Sequence, residues 1–163
     1  MTLEAAPDLD VLQWFNTKKP ISLAQLRGRV VVIEAFQMLC PGCVSQGIPQ
    51  AQRVQRSFGT DVTVLGLHSV FEHHEAMTPV ALEAFLHEYR ITFPVGVDEP
   101  GPDNGIPLTM QSYQLRGTPS LLLVDRLGRL RLNAFGHIED LDLGAVIARL
   151  IDESPQGTDR LDP

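Results

Sequence analysis

The sequence predicts an α/β fold, a mixed sheet sandwiched between helices, and three observations carry that expectation. Helical and strand-like patterns alternate along most of the chain. Two strand-like runs, Val30–Phe36 and 62–67, are almost wholly apolar and rich in β-branched residues, the pattern of strands buried on both faces. A late hairpin, Ser120–Val124 returning as Leu130–Phe135 across Asp125-Arg126-Leu127-Gly128, adds antiparallel strands and makes the sheet mixed.

Each element has its own signal. Residues 1–10 read as a loose arm, and 11–16, with Trp14 and Phe15, as a short opening strand stopped by Pro20. Ser22 starts a one-turn helix over 21–26 and Gly28 closes it. After Val30–Phe36, Val44, Ile48, Ala51, Val54 and Phe58 recur at three- and four-residue steps, which predicts a helix over 41–58 ended by Gly59. Strand 62–67 follows, then a helix over 80–89 with Leu82, Phe85, Leu86 and Tyr89 on one face and Pro79 near its start. A short strand over 93–97 precedes the Pro- and Gly-rich loop 98–107. A short helix over 110–115, the hairpin and a last amphipathic helix over 141–151 complete the order β-β-α-β-α-β-(α)-β-β-α. This divides the chain into an arm at 1–10, one domain at 11–152 and a flexible tail at 153–163.

Composition narrows the class. A chain of 163 residues fits one domain and buries roughly two thirds of its unfolded surface, so it needs no covalent staple. Its net charge of -7 argues against nucleic acid or an anionic membrane face as partner, because both reward Lys and Arg. No run approaches the ~20 apolar residues of a membrane span. The first ten residues carry Glu4, Asp8 and Asp10 and no Lys or Arg, unlike a secretory signal, so a cytoplasmic location is the expectation.

The two cysteines sit three apart, in Cys40-Pro41-Gly42-Cys43. A structural disulfide there would close a very short loop and remove little unfolded-state entropy. In a cytosolic chain, C-x-x-C beside a βαβ pattern reads as a redox pair. A redox cysteine must be a thiolate within reach of another protein's disulfide. A helix opening at this motif would point unpaired N–H groups and a partial positive charge at the first sulfur. Pro41 suits the first helical turn, where its missing N–H costs nothing. On this reading Cys40 attacks and Cys43, one turn further in, resolves. Glu34 is a carboxylate inside the central strand, costly unless it has a partner or a task. Burial would raise its pKa, and it could take the proton of Cys43 during resolution. Alternatively it reaches a polar edge or pairs with an arginine.

With Glu34 six residues before Cys40, and Arg116-Gly117-Thr118-Pro119 ahead of an apolar strand, residues 11–152 resemble the thioredoxin-like superfamily. The nearest branch is the TlpA-like, or redoxin, thiol–disulfide oxidoreductases, which share an insertion resembling 80–97. The resemblance implies a three-layer α/β/α sandwich with a central mixed sheet. It also implies a cis peptide bond at Thr118-Pro119 lying against the C-x-x-C motif. Substrate contact would fall to Thr118, Pro119, Leu39, Pro41 and Gly42. Protein thiols and disulfides would be the partners, together with an upstream protein reductant. No cofactor is implied, because the dithiol carries two electrons itself. Some positions depart from the family pattern. Leu39 stands where the family usually has tryptophan, and Pro41-Gly42 reverses thioredoxin's Gly-Pro. Pro49 falls nine residues after Cys40, one later than expected, and Gln46-Gly47 occupies a region where many exported members carry an acid. Redox potential and partner choice are therefore expected to be the chain's own.

Two further readings compete. A peroxiredoxin-like peroxide reductase would also use Cys40-Pro41, but it wants threonine at position 37, where this chain has Gln37, and an arginine against the sulfur. A metal-binding module would combine Cys40 and Cys43 with His68, His73 or His74 from the run 68–75, which also holds Glu72 and Glu75. His73 and His74 are adjacent, a poor spacing for one face, and a solvated loop is the plainer reading. Arg116 reads as a surface residue.

Overall fold

The computed structural model describes residues 3–154. Six strands form one sheet: β1 (Val11–Phe15), β2 (Val30–Phe36), β3 (Val62–His68), β4 (Val95–Asp98), β5 (Ser120–Val124) and β6 (Leu130–Phe135). Their spatial order is β1-β4-β3-β2-β5-β6. The central trio β2, β3 and β4 is parallel, while β1, β5 and β6 run antiparallel to their neighbours. This is the mixed sheet the sequence predicts.

Alternation along β2 divides the interior into two cores. Val30, Val32 and Phe36 face α1 (Ile48–Phe58), α2 (Pro79–Glu88) and α4 (Asp140–Asp152). Val31, Ile33 and Ala35 face the other way, toward α3 (Leu108–Ser112) and a one-turn 3-10 helix at Leu23–Leu26. Every residue of β2 is buried. A fully buried valine or isoleucine contributes about 2 kcal/mol. Glu34 falls in register with Val32 and Phe36, so its carboxyl enters the apolar layer beneath α1.

Several boundaries differ from the sequence expectation. The helix expected over 41–58 is not uniform: residues 41–42 are helical, Cys43–Gly47 forms a π-turn, and α1 begins at Ile48. Strand β3 continues through His68, which pairs with Phe36. Helix α3 starts two residues early, because the Asp98 carboxylate at the end of β4 accepts Thr109 N–H at 2.8 Å and Met110 N–H at 3.1 Å. A distant acid thus caps a helix whose own sequence offers only Pro107. The arm is not loose over 3–10. Ala5 bridges Arg129, Ala6 N–H donates to Gly128 O at 2.9 Å, and the Tyr113 hydroxyl donates to Pro7 O. Of the expected flexible tail, Glu153 is paired with Arg131 at 2.8 Å, and 155–163 lie outside the described residues. Among the described residues, no helix is long and apolar enough to cross a membrane.

Candidate active site

Strand β2 ends at Phe36, and a short turn carries the chain to Cys40 at the head of the helix. Two hydrogen bonds shape that turn: Cys40 N–H donates to Gln37 O at 3.1 Å, and Met38 N–H donates to His68 Nε2 at 3.3 Å. Cys40 occupies the N-cap position, with its carbonyl accepting Val44 N–H at 3.1 Å. Its sulfur takes the place of a capping oxygen. Cys43 N–H, three residues on, donates to Cys40 Sγ at 3.3 Å. Pro41 sits at the first helical position, as its fixed φ and missing N–H favour. A thiolate at this N-terminus therefore receives a backbone donor and the positive end of the helix dipole.

The two thiols are unbonded, and their environments differ. Cys40 is half-buried, whereas Cys43 is fully enclosed in the apolar layer. Burial, reinforced by the neighbouring Cys40 thiol and opposed by hydrogen bonds at Gln37 and Thr118, pushes the Cys43 thiol up to about 12. Cys43 is thus a poor nucleophile until a base takes its proton.

Glu34 lies in the same layer, 2% exposed. Its Oε1 has no hydrogen-bond partner among the described residues. Burial raises its pKa well above the ordinary carboxyl value, and the charge of Cys40 adds to that shift. Among the described residues it has no arginine partner and does not reach the surface, the two alternatives the sequence leaves open. Such a carboxyl holds its proton more tightly than an exposed one, which brings its proton affinity closer to that of a thiol.

The loop before β5 closes the site from above. The Thr118-Pro119 bond is cis, as the resemblance implies. Cys40 Sγ lies 3.5 Å from Thr118 O, within reach of a thiol donor. Pro119 covers the start of the helix: a Cβ built on Gly42 would come within 3.3 Å of Pro119 Cδ, and one on Gly47 within 3.2 Å of Pro119 Cβ. Gly136 N–H donates to Pro119 O at 2.8 Å and ties this loop to the end of β6. Leu39, 58% exposed, and Pro41 stand at the rim.

The sequence-derived candidates therefore gather at one end of β2: Glu34, Leu39, Cys40, Pro41, Gly42, Cys43, Thr118 and Pro119. Sequence reasoning missed His68 and Gly47 here. The sequence groups His68 with the solvated run 68–75, but it is 1% exposed and supports the turn before Cys40. Its burial lowers its pKa to about 4. The length of the apolar run from Val62 was the available signal, since one more residue of strand carries His68 indoors. The histidines and cysteines do not assemble: among the described residues, no three His, Cys, Asp or Glu side chains are placed to hold a metal ion. Gln37 Oε1 accepts Phe71 N–H at 3.2 Å, and the Arg116 guanidinium lies 5.8 Å from the Phe135 ring centre. Neither makes the sulfur contact that a peroxidatic cysteine requires of its threonine and arginine.

Comparison with known proteins agrees with this geometry. The AhpC/TSA family model matches residues 3–132. The crystal structure of a thioredoxin-like superfamily protein superposes with a TM-score of 0.90 at 62% identity, over 94% of this chain and 99% of that one. A thiol-disulfide isomerase from Corynebacterium glutamicum superposes with a TM-score of 0.87 at 51% identity, over 91% of this chain and 98% of the other. Protein DipZ of Mycobacterium bovis is 26% identical across 93% of this chain, which spans 21% of that protein's length. The fold is thioredoxin-like.

Proposed function

The chain belongs to the AhpC/TSA family of thioredoxin-like redox proteins, and from that premise we propose that it exchanges disulfides with protein partners through Cys40 and Cys43. One observation carries the reading: a half-buried sulfur caps the helix and accepts Cys43 N–H at 3.3 Å, while the second thiol is enclosed one turn behind it.

In the reductive direction, the Cys40 thiolate attacks one sulfur of a substrate disulfide. The substrate S–S bond breaks, one substrate thiolate leaves, and a mixed disulfide joins Cys40 to the substrate. Cys43 then loses its proton to the Glu34 carboxylate and attacks Cys40 Sγ. The second substrate thiolate departs, the substrate has gained two electrons, and Cys40 and Cys43 end as a disulfide. An upstream dithiol protein restores the pair by the reverse exchange. Thr118, Pro119, Leu39, Pro41 and Gly42 form the surface on which the substrate segment lies.

The test is trapping. Cys43→Ser is expected to accumulate mixed disulfides between Cys40 and protein substrates, released by dithiothreitol. Accumulation on Cys40→Ser instead would reverse the assigned roles. Stopped-flow mixing with hydrogen peroxide separates the peroxidase reading, since oxidation of Cys40 at about the rate of an ordinary thiolate is expected.

A further inference from the structure

The helix carrying the cysteines contains a feature that thiol exchange alone does not require. Between Cys43 and Gly47 it widens into a π-turn, closed by Ile48 N–H donating to Cys43 O. Pro49 gives the local cause. It has no N–H to offer Ser45 O, and its ring crowds the carbonyl four residues back, so regular α-helix cannot run through this stretch. A π-turn holds one more residue than an α-turn. This also accounts for Pro49 falling one position later than the family pattern leads one to expect.

The widened turn lies over Glu34. Gly47, like Cys43, is buried on the sheet-facing side of the helix. A Cβ built at Gly47 would overlap Glu34 Oε1 and fall 3.0 Å from its carboxyl carbon. No side chain at 47 is compatible with the carboxyl where it stands. The backbone does not explain the glycine, for Gly47 has an ordinary helical φ of -61° that alanine would adopt readily. What chiefly excludes a side chain is the carboxyl, since Pro119 Cβ, the next nearest group, would stand 3.2 Å away. That same carboxyl oxygen is buried without a hydrogen-bond partner among the described residues.

We propose that Gly47, set in the π-turn, is a positioning residue for disulfide exchange, holding open the place from which the Glu34 carboxylate takes the proton of Cys43. The inference rests on the dithiol reading above and adds a determinant that the C-x-x-C motif does not contain. Gly47 acts through Glu34, the group that a side chain at 47 would displace first.

The experiment is stopped-flow reaction of the reduced protein with 5,5′-dithiobis(2-nitrobenzoate), followed by nitrothiobenzoate absorbance. A first release, proportional to reagent concentration, reports attack by Cys40. A second, independent of reagent, reports attack by Cys43 on the mixed disulfide. Gly47→Ala is expected to leave the first phase within about twofold and to slow the second by about tenfold or more, the scale on which a displaced general base acts. The pH profile of the second phase should shift in the alkaline direction, and that of Glu34→Gln should shift the same way. The double variant Glu34→Gln/Gly47→Ala should resolve no slower than Glu34→Gln alone, because both changes remove one function.

A second phase unchanged in Gly47→Ala but slowed in Glu34→Gln overturns the inference and leaves the dithiol reading intact. Effects that multiply in the double variant overturn it too. Loss of the second phase from the unmodified protein would instead defeat the dithiol reading itself. Should Gly47→Ala fail to fold, Glu34→Asp/Gly47→Ala withdraws the carboxyl by one methylene. It must then resolve faster than Glu34→Ala/Gly47→Ala, and equal rates would sink the proposal.

Discussion

Glu34 and His68 are both buried titratable residues at the end of the central strands, and they tie stability to pH in opposite senses. The Glu34 carboxyl binds its proton more tightly folded than unfolded, where it titrates near 4.5. Its contribution is fully present below that value and is lost as pH rises through the folded-state pKa. Glu34→Gln should therefore gain stability relative to the parent over that rise, by about 1.4 kcal/mol for each unit of displacement. Urea midpoints measured from pH 4 upward on reduced protein check this, and a constant difference would contradict it. His68 runs the other way. Unfolded it titrates at 6.5, folded at about 4, so stability present above 6.5 is lost as pH falls between those values. The loss amounts to about 3 kcal/mol. His68→Gln, whose amide oxygen is an acceptor for Met38 N–H, should flatten that acid limb. At this scale the sequence revealed the residues whose chemistry is announced by type and spacing. Cys40 and Cys43 stand three apart, and Glu34 interrupts an apolar strand. It did not reveal His68 or Gly47, because their tasks are set by partners 30 and 13 positions away, Met38 and Glu34.

Helix α3 shows the same limit for whole elements. Its sequence predicts a start near residue 110, whereas the Asp98 carboxylate begins it at Leu108 from the end of β4. Asp98 is 2% exposed, and it also accepts the Ser69 hydroxyl at 2.7 Å. Burial pushes its carboxyl up, against the hydrogen bonds from Ser69, Thr109 and Met110 that pull it down. Asp98→Ala leaves two backbone N–H groups and a hydroxyl without their acceptor, and should cost about 3 kcal/mol. Asp98→Asn keeps one acceptor oxygen and should cost less. Denaturant midpoints should fall in that order with little change in slope. The π-turn was partly legible, in that Pro49 stood one place late, but periodicity alone cannot tell a widened turn from a displaced proline. The strands were read closely because burial on both faces leaves an unbroken apolar run, which needs no knowledge of neighbours.

Across the molecule, β2 pairs with β3 on one side and β5 on the other, with both cores packed against it. Its amides should be the slowest to exchange with deuterium, while β1 and β6, each paired on one side, should exchange sooner. Native-state exchange read by mass spectrometry checks that ranking, and faster exchange in β2 than in β6 would refute it. The mixed sheet was legible as a whole because alternating pattern and hairpin turn are local signals. The tethering of the arm was not, since it depends on a bridge from Ala5 to Arg129. That bridge has a consequence for how the domain can be carried. Strand β2 starts beside the far end of β5 and finishes at the cysteines, so Val31 faces Val124 while Ala35 faces Ser120. Residues 4–6 pair at the β5–β6 turn, and Ile151 and Glu153 are held there by Arg126 and Arg131. Both ends of the described chain thus emerge together at one pole, a strand's length of about 20 Å from the thiols at the other. This is the geometry of a cassette. The contacts of 4–6 and 151–153 stand at the pole opposite Cys40, and a fluorescent protein fused to either terminus should leave both nitrothiobenzoate release rates unaltered.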